Sequence, residues 1–141
     1  MREIQVLENA EAVSRAAAEM MVSLARQKLK SKESFAVALS GGSTPKKMFA
    51  ILANDAALRG QMPWESVQFF WGDERHVPPD HTDSNYRMAN EAMLSKVPVP
   101  AENIHRIRAE NPDAGKVAED YEQELREFFR IETEQLPAFD C

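Results

Sequence analysis

One cysteine, Cys141, stands in 141 residues, so no disulfide can close within the chain, and such usage fits a reducing compartment. No run approaches the eighteen apolar residues that a membrane-spanning helix needs. The N-terminus, Met1-Arg2-Glu3-Ile4, carries an early acid and no long apolar core, unlike a secretory leader. No membrane association is expected, and the cytoplasm is the expected location. Positive charge is also short. Lys and Arg total 17 against 23 Asp and Glu, a formal net charge of −6, which argues against nucleic acid as a partner. Histidine gives no metal pattern: two prolines separate His76 from His81, no helical i, i+4 pair exists, and Cys141 is remote. No metal or other cofactor is expected.

What remains is enough for one domain with a core, since 43% of the residues are hydrophobic. The acidic surplus is local. Residues 110–134 hold nine acids and three bases, which is the whole imbalance, and the rest of the chain is neutral. The acidic stretch reads as the solvated face of one helix, so the total charge does not forbid an anionic ligand elsewhere.

Hydrophobic periodicity divides the chain into alternating elements. Ile4-Gln5-Val6 alternates like a short strand. Val13, Ala16, Ala17, Met20, Met21, Leu24 and Leu29 recur at helical spacing, with Asn9 as N-cap. Phe35–Leu39 is a continuous apolar run, as in a strand buried on both faces. A helix is expected from Pro45 to about Ala53, a connection over 54–63, and a strand at Val67–Trp71. A proline-bearing loop follows, then a helix from Ser84 or Asn85 to about Ser95 and a short strand at Ile104–Ile107. Asn111-Pro112 resembles a cap and first turn for the acidic helix, with Val117, Tyr121, Leu125 and Phe128 as its inner stripe. Alternation of this kind predicts an α/β fold: a three-layer, mainly parallel, Rossmann-like sheet with helices on both faces. Ligands in such sheets sit beyond the carboxyl ends of the strands.

Two polar clusters fall at such ends. The first is Ser40-Gly41-Gly42-Ser43-Thr44-Pro45, between a strand and a helix. Free amides and the positive end of the dipole make a helix start an anion site, and glycines let a ligand approach the backbone. Ser43 and Thr44 add hydroxyl donors, and Pro45 suits the first helical position. The spacing is neither a Walker A loop nor G-x-G-x-x-G. Alone, the turn is equally a tight connection with a hydroxyl cap. The second cluster, Asp73-Glu74-Arg75-His76, follows a very apolar strand. Arg75 can meet a ligand oxygen with a permanent charge, and Asp73 can orient a water, a sugar hydroxyl or an imidazole. Glu74 shows no ligand role and reads as a brace for the next loop. The three histidines read as structural groups.

Together, Ser40-Gly41-Gly42-Ser43-Thr44-Pro45, Trp71-Gly72-Asp73-Glu74-Arg75 with Val77-Pro78, and Asp83-Ser84-Asn85 resemble the 6-phosphogluconolactonases, within a wider group that includes glucosamine-6-phosphate isomerase/deaminases. The resemblance implies metal-free hydrolysis of 6-phospho-D-glucono-1,5-lactone to 6-phosphogluconate in the oxidative pentose phosphate pathway. It would place Gly41, Gly42, Ser43 and Thr44 at the phosphate, Asp73 and Arg75 beside the lactone, and Ser84 and Asn85 in the adjoining wall. Arg75 weighs against the isomerase branch, which typically has an aromatic residue after Asp-Glu.

One departure is serious. The family's general base is a histidine in a Gly-x-Gly-x-Asp-Gly-His-type segment of its C-terminal half, and no such segment occurs here. Leu136–Cys141 resembles the lead-in to that strand. Residues 1–141 therefore read as the N-terminal portion of a single lactonase-type α/β domain, apparently truncated. A truncation, a broken reading frame and a split polypeptide all fit. The expected partners are the phosphosugar lactone and the missing C-terminal half. A sugar-phosphate isomerase or deaminase of the same fold, or a non-catalytic sugar-phosphate-binding fragment, is the alternative.

Overall fold

The computed structural model describes residues 3–141. Helix α1 (Ala10–Lys28) opens on Asn9, whose Oδ1 accepts the Ala12 N–H at 2.9 Å. Its buried face is rotated from the expected one: Met21 is buried and Leu24 and Leu29 pack against the core as expected. Ser14, Ala18, Met21, Val22 and Ala25 turn inward, while Val13 and Met20 stay exposed, Met20 at 65%. The chosen stripe carries the small side chains. Ser14 returns its hydroxyl to the Ala10 carbonyl at 2.8 Å, and Ala18 and Ala25 let α1 lie close on helix α2 (Ser43–Asn54).

Strands β1 (Phe35–Leu39) and β2 (Val67–Trp71) form a parallel pair, with Phe35 opposite Val67 and Leu39 opposite Trp71. Phe35, Val37, Leu39, Val67, Phe69 and Trp71 share a core with α1, α2, α3 (Ala56–Gln61) and α4 (Asn85–Ala92). Phe70 lies on the opposite face, against Phe128 and Phe129 of α5 (Ala114–Phe129) and against Phe139. The sheet is thus covered on both sides, in the expected three layers. Outside β1, the Asp140 N–H donates to the Ala36 carbonyl (2.8 Å), and the Cys141 carbonyl accepts from Ala38 (3.0 Å). These bonds lay residues 140–141 alongside β1, although residues 136–141 form no strand of their own. Burial alone would raise the pKa of Asp140, but Lys32, 2.7 Å away, and the Ala36 N–H hold it below the usual value.

Several boundaries differ from expectation. Ile4–Val6 forms no strand, and both apolar side chains stand in solvent, Ile4 at 81% and Val6 at 89%. Alternation without a neighbour to pair with makes no sheet. Helix α2 starts two residues early, so Pro45 is its third residue rather than its first; no bond is lost, because that position has no intrahelical acceptor. The connection expected over 54–63 folds into α3, because Asp55 Oδ1 accepts the amides of Ala57 and Leu58. Helix α4 ends at Ala92 and passes into a 3₁₀ turn, Leu94–Lys96, short of the expected Ser95. Helix α5 is capped by Asp113, which accepts from Lys116 N at 3.0 Å; Asn111 instead makes a turn, accepting from Asp113 N.

The strand expected at Ile104–Ile107 is reduced to one parallel bridge, Ile104 to Phe69. The cause is Tyr121. After the His105 N–H donates to the Phe69 carbonyl (2.8 Å), the next ladder bond would join Trp71 N–H to the His105 carbonyl. The Tyr121 hydroxyl stands between them, accepting from Trp71 N at 2.9 Å and reaching the His105 oxygen at 3.1 Å. Burial pushes this hydroxyl up to about 12. Tyr121→Phe leaves a buried amide unpaired and is expected to cost about 1–3 kcal/mol in urea unfolding at neutral pH. Between pH 10 and about 12 the unfolded tyrosine ionises and the folded one does not, so the wild type loses stability there. The gap to Tyr121→Phe should therefore narrow over that range; a constant gap would contradict the role given to the hydroxyl.

Candidate active site

Because Leu39 lies opposite Trp71, both strands end at one level, and the Gly72 N–H donates to the Leu39 carbonyl at 3.0 Å. The two polar turns therefore leave the sheet side by side. The first swings into α2 through Gly42, whose φ of +107° and ψ of 171° belong to a region open essentially only to glycine. The first helical bond runs from Lys46 N to the Gly42 carbonyl (3.2 Å). Among the described residues, the amides of Gly42, Ser43 and Thr44 have no hydrogen-bond acceptor, and all three residues are exposed. Three free N–H groups at the positive end of a twelve-residue helix form an open anion cradle.

The second turn is built around Glu74. One carboxylate oxygen accepts from Arg75 N (2.8 Å) and Asn85 N (2.7 Å), the other from Ser84 Oγ (3.0 Å) and Tyr86 N (3.0 Å). This is the brace expected of Glu74, but it is made to backbone amides at the start of α4 rather than to a cation. Ser84 is buried, 2% exposed, and its hydroxyl is engaged twice: it donates to Glu74 and accepts from Arg87 N at 3.1 Å as the cap of α4. Ser84 thus supports the wall from behind.

Asn85 joins the two turns. Its Nδ2 donates to the Asp73 carbonyl at 3.2 Å, while its side chain lies against Gly41. A Cβ at Gly41 would fall 2.2 Å from Asn85 Oδ1, so only glycine permits this approach. The structure therefore brings Gly41, Asp73, Ser84 and Asn85 together at one sheet end, with the Gly42–Thr44 cradle following directly. The Asp73 and Arg75 side chains are exposed and without hydrogen-bond partners among the described residues, free to meet a ligand.

The histidines are engaged in structure. His76 Nε2 lies 2.7 Å from the Asn111 carbonyl, and His81 Nδ1 accepts from Asp83 N (3.1 Å). His105 stacks on Phe70 at 4.3 Å and bridges Glu124 and Gln68. Sequence reasoning missed the reach of Glu74 and the wedge of Tyr121. Both act across gaps of ten residues or more, where no local signature exists.

Residues 8–141 match the family model described as glucosamine-6-phosphate isomerases/6-phosphogluconolactonase. The chain is 47% identical over 104 residues to a 6-phosphogluconolactonase of Synechocystis sp., covering 74% of this chain and 41% of that one. Among solved structures, the devB protein superposes with a TM-score of 0.85 at 36% identity, covering 96% of this chain and 54% of its own. The 6-phosphogluconolactonase of Trypanosoma cruzi does so with a TM-score of 0.81 at 26% identity, covering 99% and 56%. The chain thus spans about half the length of the relatives it matches. With the parallel pair, the glycine turn and the Asp-Glu-Arg turn all in place, the chain belongs to the glucosamine-6-phosphate isomerase/6-phosphogluconolactonase family.

Proposed function

We propose that this chain carries the substrate-holding side of a 6-phosphogluconolactonase, hydrolysing 6-phospho-D-glucono-1,5-lactone to 6-phospho-D-gluconate in the cytoplasm. One observation carries the reading: the free amides of Gly42, Ser43 and Thr44 and the free side chains of Asp73 and Arg75 belong to two turns tied together by Asn85. Relatives named for this activity, at 43–47% identity, support the choice of substrate.

The chemistry assigns the roles. Water adds to C1, the C1–ring oxygen bond breaks, one water proton ends on the departing C5 oxygen, and the other is released as the new carboxyl group ionises. The cradle takes the 6-phosphate. Helix-start electrostatics supply about 0.3–1 kcal/mol. Each charge-assisted bond to an amide adds roughly 1.5–3 kcal/mol before desolvation. That remote binding holds C1 in register with Arg75, which balances the charge developing on the carbonyl oxygen. Asp73 orients the water or its base. The base itself must be a group of near-neutral pKa, and the three histidines here are committed elsewhere. In this reading it belongs to a C-terminal half, and residues 1–141 are the N-terminal portion of one domain.

Titrating 6-phosphogluconate into the ¹⁵N-labelled chain should shift the amides of Gly42, Ser43 and Thr44 first, and added salt should weaken the effect. Binding that leaves these three unmoved would remove the phosphate from the cradle. The chain alone should leave the lactone at its spontaneous rate of hydrolysis; turnover well above it would place the base within residues 1–141. In an enzyme completed by the C-terminal half of a relative, Arg75→Ala should lower kcat/KM by about 100-fold or more, and unchanged kinetics would refute the charge-balancing role.

A further inference from the structure

Two helices start at this end of the sheet, and they are treated oppositely. The first amides of α2 are open. Those of α4 are all taken: Arg87 N by the Ser84 hydroxyl, Asn85 N and Tyr86 N by Glu74. A carboxylate offers about four lone-pair directions, and Glu74 fills four with Arg75 N, Asn85 N, Ser84 Oγ and Tyr86 N. Its accepting positions are therefore all engaged within the protein. Glu74 is not needed as the N-cap, which Ser84 already provides.

What Glu74 adds is position. It lies on the Asp73–Arg75 turn and grips the backbone of Asn85, while the Asn85 side chain returns to the Asp73 carbonyl and occupies the space a Cβ at Gly41 would need. The ring closes through residues 73, 74 and 85 and passes its placement to Gly41, one residue before the cradle. We infer that Glu74 is a positioning residue that sets the spacing between the phosphate cradle and the Asp73–Arg75 turn, acting through Asn85. The inference rests on the lactonase reading for its purpose, but the mechanical link can be tested without ligand.

A merely structural Glu74 and a positioning one differ in what moves. In ¹H–¹⁵N spectra of the ligand-free chain, Glu74→Gln should shift the Gly41 and Gly42 amides and the Asn85 side-chain amide, although Glu74 hydrogen-bonds to neither glycine. In an Asn85→Ala background the same substitution should leave Gly41 where Asn85→Ala alone puts it. Asn9→Ala, which removes the α1 cap, should lower Tm without moving Gly41. At a temperature where the variant is folded, Glu74→Gln should also raise the Kd for 6-phosphogluconate by about tenfold or more. Glu74→Asp, with the charge kept and the reach one methylene shorter, gives the same read-out should Glu74→Gln fail to fold. A fall in Tm with Gly41 and the Asn85 side chain unmoved overturns the inference, as does a shift of Gly41 that persists without Asn85. If the wild-type chain fails to bind 6-phosphogluconate, the lactonase reading falls, while the ligand-free spectra still decide the role of Glu74.

Discussion

The parallel register of β1 and β2 is the constraint from which the site follows. With Leu39 opposite Trp71, and Gly72 N bonded to the Leu39 carbonyl, the strands release their loops at one height and a few ångströms apart. A shift of one residue would turn Phe69 and Trp71 away from the core that holds Phe49, Leu52 and Met93. The apolar pattern that fixes the fold thus also fixes how near the glycine turn comes to the Asp73–Arg75 turn. Tyr121 guards the same height from the other side, occupying the ladder position between Trp71 and His105.

Given that frame, the division of labour between two helix starts becomes intelligible. Both begin beside the strand ends, and a bare helix start attracts any anion in reach. At α4 the protein supplies its own anion, Glu74, and uses the attraction to lock a loop to a helix. At α2 nothing in the described chain fills the amides, and Gly42 adopts a backbone conformation that a side chain would resist. The glycine-only turn stands at the open helix start, and the satisfied start stands where a loop is locked to a helix.

Legibility in the sequence followed the range of the interactions. Strands Phe35–Leu39 and Val67–Trp71 were readable to the residue, because apolar runs bounded by turns report burial directly. The motif residues could be placed at one sheet end from topology alone, since parallel strands present their carboxyl ends together. Choices between near-equal local options were not readable. On α1, adjacent apolar stripes lie only 100° apart, and the packing of α1 on α2, with Ala18 and Ala25 fully buried, decided between them. At α5, Asn111 and Asp113 could each cap, and Asn111 was drawn into a turn with Asp113 N. The bonds of Glu74 to Ser84, Asn85 and Tyr86 cross a loop of prolines, so only the folded chain displays them.

The openness of the two turns bears on what they can do chemically. Gly42, Ser43, Thr44, Asp73 and Arg75 are all exposed, so water screens each interaction they make. Binding a phosphate tolerates this, because several donors act on one dianion and the helix start is already organised. Stabilising a developing oxyanion does not, because its advantage over water depends on excluding water. A cradle can therefore work at an open sheet end where a catalytic centre cannot. Under the proposed lactonase reading, Arg75 acts on C1 only when a further wall closes over the Asp73–Arg75 turn. Along the free side of β1, the backbone of Asp140 and Cys141 bonds to Ala36 and Ala38 and leaves the Asp73–Arg75 turn uncovered.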